Sequence, residues 1–288
     1  VKADINRASR KARWSLAVIA LLASMLGAKA WSDTLGDPVV HRTSVATAAL
    51  PAGARPITVA LISDIHVAGP DMPPARLEEI VAQINALDPD IVAIAGDLVS
   101  ERRTATHIYT PEEIVAPLAA LTPRLGTVVV PGNHDHWYDM PALAAQLERY
   151  GIPLVANSAI RLGPLVIGGL DDAYTRREDI PETLVAMDKL GGGAILLSHS
   201  PDPAADAPEG IDLVLAGHTH CGQIAYPWGG APAHFSDYGD RYACGRIDEG
   251  KRTVIVGAGL GTSLMPVRLF TKPEIWLVEV TGKSEPRD

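Results

Sequence analysis

Apolar residues in this chain fall into short runs, and the runs end in polar residues of metal-binding type. From Ile57 to Ile62 the sequence is apolar or β-branched, then breaks into Ser63-Asp64-Ile65-His66. Residues 90–95 end in Gly96-Asp97, and residues 127–130 end in Pro131-Gly132-Asn133-His134. Runs of this length bounded by turn residues read as buried strands. Helical periods lie between them. Leu77, Ile80, Val81, Ile84 and Leu87 recur at three- and four-residue spacing behind Pro73-Pro74 and stop at Asp88-Pro89, which predicts an amphipathic helix. Thr110 is placed to cap a helix opened by Pro111-Glu112-Glu113, with Pro117 bending or shortening it. Another helix covers residues 140–150 and closes at Gly151. This alternation predicts a mostly parallel sheet covered on both faces, with the residues after each strand gathered along one rim.

Beyond Ile152 strands dominate. Residues 160–162 and 165–169 flank a Gly163-Pro164 turn and read as a hairpin, and 181–190 as a helix. Residues 194–197 and 211–216 read as strands that again end in His motifs, and 245–247, 253–256 and 274–280 complete the set. An α/β protein (α+β in some schemes) accounts for the pattern: two mixed sheets packed face to face with helices outside, a four-layer α-β-β-α sandwich.

The amino-terminal part departs from this pattern. Residues 14–28 carry no charge and follow Lys2, Arg7, Arg10, Lys11 and Arg13, so residues 1–32 read as a membrane anchor or signal segment. A basic flank stays cytoplasmic, which places the body of the protein on the outer side. About 15 apolar residues is short beside the roughly 20 a spanning helix needs. Lys29 can snorkel, with Trp14 and Trp31 at the two interfaces, and so lengthen the span. The preferred reading is a single-pass anchor in the cytoplasmic (inner) membrane; the alternative is export with cleavage near Ala28-Lys29-Ala30. Residues 33–56, rich in Asp, Pro, Gly, Ser and Thr, read as a tether, and 57–288 as one catalytic domain.

The net charge of −9 understates the acidity of that domain. Residues 1–50 hold seven Lys/Arg against three Asp/Glu, leaving 18 against 31 in residues 51–288. Such a surface repels a nucleic-acid backbone, which argues against that partner, and no motif signals a protein partner. With only Cys221 and Cys244, one disulfide is the ceiling; Cys221 reads as a small turn residue in preference to a thiolate ligand.

Seven potential ligands remain in strand-end motifs: Asp64, His66, Asp97, Asn133, His199, His218 and His220. Carboxylate oxygen mixed with imidazole nitrogen suits two divalent ions such as manganese, iron or zinc. His41, His107, His136 and His234 lack that context and read as ordinary surface or core histidines. Gly257-Ala258-Gly259-Leu260-Gly261 has no following helix or ribose carboxylate, so it reads as backbone near the site and not as a dinucleotide loop.

Asp64-x-His66, Gly96-Asp97, Gly132-Asn133-His134-Asp135, His199 and Gly217-His218-Thr219-His220, in that order, resemble the calcineurin-like metallophosphoesterase family over about residues 57–280. The resemblance implies that Asp64, His66 and His220 hold one ion, that Asn133, His199 and His218 hold the other, and that Asp97 bridges them. It further implies that a hydroxide shared by the ions attacks phosphorus while His134 assists the leaving group. Asp135 would orient the His134 ring or cap the following turn.

The family's protein phosphatases extend the second motif with an Asp-Arg-Gly signature, whereas this chain reads Gly96-Asp97-Leu98-Val99-Ser100-Glu101-Arg102-Arg103, and the amino-terminal segment with GHTHCGQ resembles the bacterial membrane-associated phosphodiesterase branch, with Cys221 in place of its usual Gly. A phosphodiesterase acting on a small-molecule or lipid phosphoester is therefore expected. A UDP-2,3-diacylglucosamine-type lipid pyrophosphatase is the alternative, and a non-catalytic metal-binding scaffold the alternative of another class. Arg241, Arg246 and Arg268 are candidates for gripping phosphate, while Met265-Pro266 and Leu269-Phe270 read as core packing or as an apolar lip.

Overall fold

A computed structural model describes residues 2–101 and 104–283, with side chains from Lys11 onward. Arg102-Arg103 and the end of the expected domain, 284–288, lie outside the described residues. Helix α1 (Lys2–Leu35) exceeds the uncharged run at both ends; its Lys11–Leu35 part is long and apolar enough to cross a membrane and has none of its apolar window buried. Then follow β1 (Val39–Thr47), β2 (Ile57–Ile62), α2 (Pro74–Ala86), β3 (Ile91–Ala95), α3 (Pro111–Val115), β4 (Gly126–Val130), α4 (Asn133–Tyr138) and α5 (Met140–Arg149). The second half comprises β5 (Ser158–Leu162), β6 (Leu165–Gly169), α6 (Ile180–Lys189), β7 (Ile195–Leu197), β8 (Leu213–Ala216), β9 (Gly245–Glu249), β10 (Arg252–Val256) and β11 (Glu274–Gly282).

The strands form two mixed sheets, ordered β1-β11-β2-β3-β4 and β5-β6-β7-β8-β10-β9. β2, β3 and β4 run parallel, as do β6, β7, β8 and β10, so each sheet brings a row of strand ends to one side. Because side chains alternate along a strand, each sheet has two apolar faces. Val59, Leu61, Ala93 and Val128 meet Ile167, Leu197, Leu215 and Ile255 between the sheets. Ala60, Ile62 and Ile94 pack outward against Leu77 and Ile84 of α2 and Leu143 of α5, and Val166, Leu196 and Val254 pack against Met187 of α6. The four-layer sandwich follows from those faces.

Thr110 accepts from the Glu113 N–H while Glu113 reaches back to the Thr110 N–H, a capping box. The helix it opens passes into a 3₁₀ turn at Ala116–Ala120, where Pro117 has no N–H to continue the α ladder. The expected tether is corrected in part. Residues 39–47 form an edge strand paired in parallel with β11 over its whole length, from Val39↔Glu274 to Thr47↔Gly282. Polar residues on both faces of VVHRTSVAT, with no apolar/polar alternation, hide the strand, and the pairing is made by backbone.

Candidate metal centre

Each ligand motif begins one to three residues after a parallel strand ends: Asp64 and His66 after β2, Asp97 after β3, Asn133 and His134 after β4, His199 after β7, and His218 and His220 after β8. The chain turns sharply there. Asp64, His66, Asp97, His218 and His220 take φ of 47°, 50°, 53°, 70° and 51°, a left-handed backbone that costs a non-glycine residue roughly 1–2 kcal/mol. Hydrogen bonds between loops hold these turns. Asp64 N–H donates to Gly96 O at 3.0 Å, His66 N–H to Asp97 O at 3.0 Å, and Gly217 N–H to His199 O at 2.9 Å. A β-carbon at Gly217 would fall on the Asp64 carboxylate, and one at Gly132 on that of Asp97, so both positions need glycine. The loop at Gly257–Gly261 does border the site: Leu260 N–H donates to Ser63 O at 3.0 Å and Gly261 N–H to Asp64 O at 2.8 Å.

The turns bring all seven expected ligands together. His66 Nε2 lies 3.1 Å from His220 Nε2 and 3.6 Å from Asp97 Oδ2, and His220 Nε2 lies 3.4 Å from Asp64 Oδ1. On the other side, His199 Nε2 is 3.1 Å from each of Asp97 Oδ2, Asn133 Oδ1 and His218 Nδ1. Asp97 Oδ2 is the atom common to both groups, while its Oδ1 accepts the His134 N–H at 2.8 Å. Such spacings match the edges of a coordination shell with bonds of about 2.0–2.2 Å. The donor set fits a pair of divalent ions: His66 and His199 give their Nδ1–H to Val99 O and Ala95 O, which leaves the Nε2 lone pairs directed inward.

The electrostatics agree. Burial pushes Asp64 up to about 6. Burial also acts against the Asp97 carboxylate, but the charge and hydrogen bond of His199 outweigh it and hold Asp97 well below the ordinary carboxylate range. Burial, then the charge on His199, lowers His218 to about 3, and burial beside His66 drives His220 well below its usual value. Both imidazoles are therefore neutral, with lone pairs free. His199 rises because burial is outweighed by Asp97, so a proton there and a metal cation are alternative ways to compensate the same carboxylates.

Of the two places expected for Asp135 the structure gives the capping one, at the start of α4. Its carboxylate accepts backbone N–H groups of Asp97 at 2.9 Å, Leu98 at 2.8 Å and Gly132 at 3.0 Å, which clasps two ligand loops together. The His134 ring is instead oriented by Glu101, whose Oε2 is 2.5 Å from His134 Nδ1. Nε2 faces the cavity beside Ser263 Oγ at 3.3 Å. Burial opposes protonation of His134, but Glu101 and then Asp97 raise its pKa overall.

A cavity of about 380 Å³ opens over these groups, walled by Trp137, Tyr174, Phe235 and Leu264. None of the three candidate arginines lines it. Arg241 pairs with Glu249, Arg246 with Asp248, and Arg268 is fully buried, donating to the carbonyls of Ala258 and Gly261 at 2.6 Å. Glu101 and the aromatic wall were not found from sequence; the one signal was an acidic residue four positions after Asp97. Cys221 is joined to Cys244 in a disulfide, so neither thiolate is a ligand. His136 pairs with Asp171, and His41, His107 and His234 belong to none of the clustered ligand groups among the described residues.

Two packed mixed sheets thus carry, along one rim, Asp/His clusters that could hold divalent metal. A family model for calcineurin-like phosphoesterases matches residues 57–222, and the chain belongs to that family of metal-dependent hydrolases acting on phosphoester bonds. The Bacillus subtilis (strain 168) uncharacterized metallophosphoesterase YkuE is 32% identical over 209 residues, 69% of this chain and 70% of YkuE. An uncharacterized metallophosphoesterase of Aquifex aeolicus (strain VF5) is 30% identical over 252 residues, 85% of this chain and 92% of the relative. A Danio rerio transmembrane protein with metallophosphoesterase domain is 29% identical over 256 residues, 83% of this chain; the match covers 56% of that longer protein.

Proposed function

We propose that the chain is a phosphodiesterase, anchored by α1 in the cytoplasmic membrane with its catalytic domain outside. The observation that carries the diester reading is the cavity wall, which beyond the ligand groups is largely aromatic and aliphatic, with Trp137, Tyr174, Phe235 and Leu264. A phosphomonoester dianion is typically gripped by a guanidinium or ammonium group, whereas a monoanionic diester with an apolar substituent suits this lining. Asp64, His66 and His220 would hold one ion and Asn133, His199 and His218 the other, with Asp97 shared. Bound there, divalent ions supply Lewis-acid activation of water and of the phosphoryl oxygens. His134, whose pKa Glu101 raises, would donate from Nε2 to the departing alkoxide, beside a wall of Trp137, Phe235 and Leu264.

The outward orientation is supported by the basic flank before α1 and by the Cys221–Cys244 disulfide, which suits an oxidising compartment. The test is hydrolysis of an aryl phosphodiester and the matching monoester by the full chain, with manganese and with chelator. Chelator-sensitive cleavage of the diester is expected. Cleavage of the monoester alone would make the protein a phosphatase, and two bound ions without turnover on either ester would favour a narrow lipid pyrophosphatase or the scaffold reading.

A further inference from the structure

A second membrane contact is built into the loop that follows the last histidine motif. Residues 221–236 contain no Asp, Glu, Lys or Arg in a chain whose body is strongly acidic. Within them Tyr226 and Trp228 sit on a tight turn, closed by Tyr226 N–H to Gly230 O at 2.9 Å and Gly229 N–H to Tyr226 O at 3.0 Å. Their rings stack at 5.3 Å, and Trp228 is 80% exposed. A large apolar ring left in water at the tip of a rigid turn, with an uncharged surround, marks a surface that meets something apolar.

The anchor identifies what that is. Ala225 N–H donates to Leu269 O at 2.9 Å, and the next residue, Phe270, donates its N–H to Asp33 Oδ2 at 2.9 Å in the last turn of α1. Thr34 Oγ1 accepts the Arg268 N–H at 2.7 Å, and Lys29 Nζ lies 5.2 Å from the Phe270 ring centre. The aromatic turn is thus joined through a single strand-like segment to the end of the helix whose apolar window is unburied. Gln223 also holds the neighbouring Leu264 loop, donating to Ser263 O and Met265 O at 3.1 Å each; Met265 is 47% exposed, so this segment is an exposed lip and not core packing.

We propose that the Tyr226–Trp228 turn, with Met265 and Phe270, inserts into the interfacial region of the same bilayer that α1 crosses. Trp and Tyr favour that zone, where an apolar ring and a polar tip are both satisfied, and exposed Lys272 beside Phe270 suits anionic headgroups. Two contacts, one helical and one aromatic, fix the tilt of the catalytic domain, and Leu264 places the cavity mouth on the membrane-facing side. This inference rests on the reading of α1 as a membrane anchor and not on the phosphodiesterase reading.

The test uses the full chain in phospholipid nanodiscs. Tryptophan emission is recorded with ordinary lipids and with lipids brominated on the acyl carbons nearest the headgroup, and the spectrum of Trp228→Phe is subtracted to isolate Trp228. A blue-shifted difference emission, quenched at least about two-fold by the bromines, is expected of an interfacial ring. A water-like, unquenched difference spectrum would overturn the proposal. So would a shielded Trp228 seen only in discs holding two chains and lost in discs holding one, since the turn would then meet a second copy of this chain. Tyr226→Ser/Trp228→Ser is expected to keep the parent's far-ultraviolet circular dichroism and unfolding temperature, which checks that removing the stack leaves the fold intact.

Discussion

Between the sheets, Val59, Leu61, Leu197 and Leu215 lie in extended backbone with apolar neighbours on every side. A few residues further along the same strands, Asp64, His66, His199 and His218 are equally buried, but as charged or polar groups, and Asp64, His66 and His218 are in left-handed backbone. The difference shows a division of labour along each strand. The inter-sheet core favours folding by burial alone, whereas the rim opposes it locally and is held in place by loop-to-loop hydrogen bonds and by whatever cation compensates its carboxylates.

The largest expected effect comes from removing the shared carboxylate. Asp97→Asn keeps the shape of the side chain but should lower diester turnover by roughly 1,000-fold or more, several kcal/mol of transition-state stabilisation, with loss of bound metal. The same variant should unfold in chelator at a lower temperature than the parent, because the carboxylate that pairs with His199 has gone and leaves that buried imidazole uncompensated; an unchanged temperature would break the comparison. Leu215→Ala tests the other region. A cavity between the sheets should cost about 2–5 kcal/mol in denaturant unfolding while the folded protein still binds two ions. Asp135→Asn sits where the two regions join. Its amide turns one acceptor into a donor facing backbone N–H groups, so a loss of about 1–3 kcal/mol is expected together with weaker metal binding by calorimetry.

Glu101→Gln should be mildest, about a ten-fold loss in kcat with metal content unchanged. It also carries a pH signature. His134 acts as an acid only when protonated, and Glu101 raises its pKa, so activity falls as pH rises through that raised value. Removing the carboxylate moves this alkaline limb to lower pH. An unmoved limb would show that His134 is not the proton donor.

The regions also differ in how legible they were in the sequence. The helix at Pro74–Ala86 and the strands around it were readable because each announces itself through local period, and the ligand order was readable because parallel strands deliver their ends to one side. β1 was hidden because its pairing partner lies at the other end of the chain and its residues show no apolar/polar alternation. Glu101 and the Trp137–Phe235 wall follow no period at all; they are near His134 only because separate loops converge there. For Asp135 the sequence left ring orientation and turn capping both open, since the backbone donors a carboxylate meets depend on two loops that converge only in the fold.

The parallel pairing of β1 with β11 has a mechanical consequence. β1 begins four residues after the anchor helix ends and is matched to its neighbour over nine consecutive residues. A pull along the anchor therefore loads those backbone hydrogen bonds in shear, all at once, and not in a peeling mode that opens them one by one. Load on α1 is shared between the first sheet and the contacts of Asp33 and Thr34 with Phe270 and Arg268, neither of which belongs to the loop that carries Asp97.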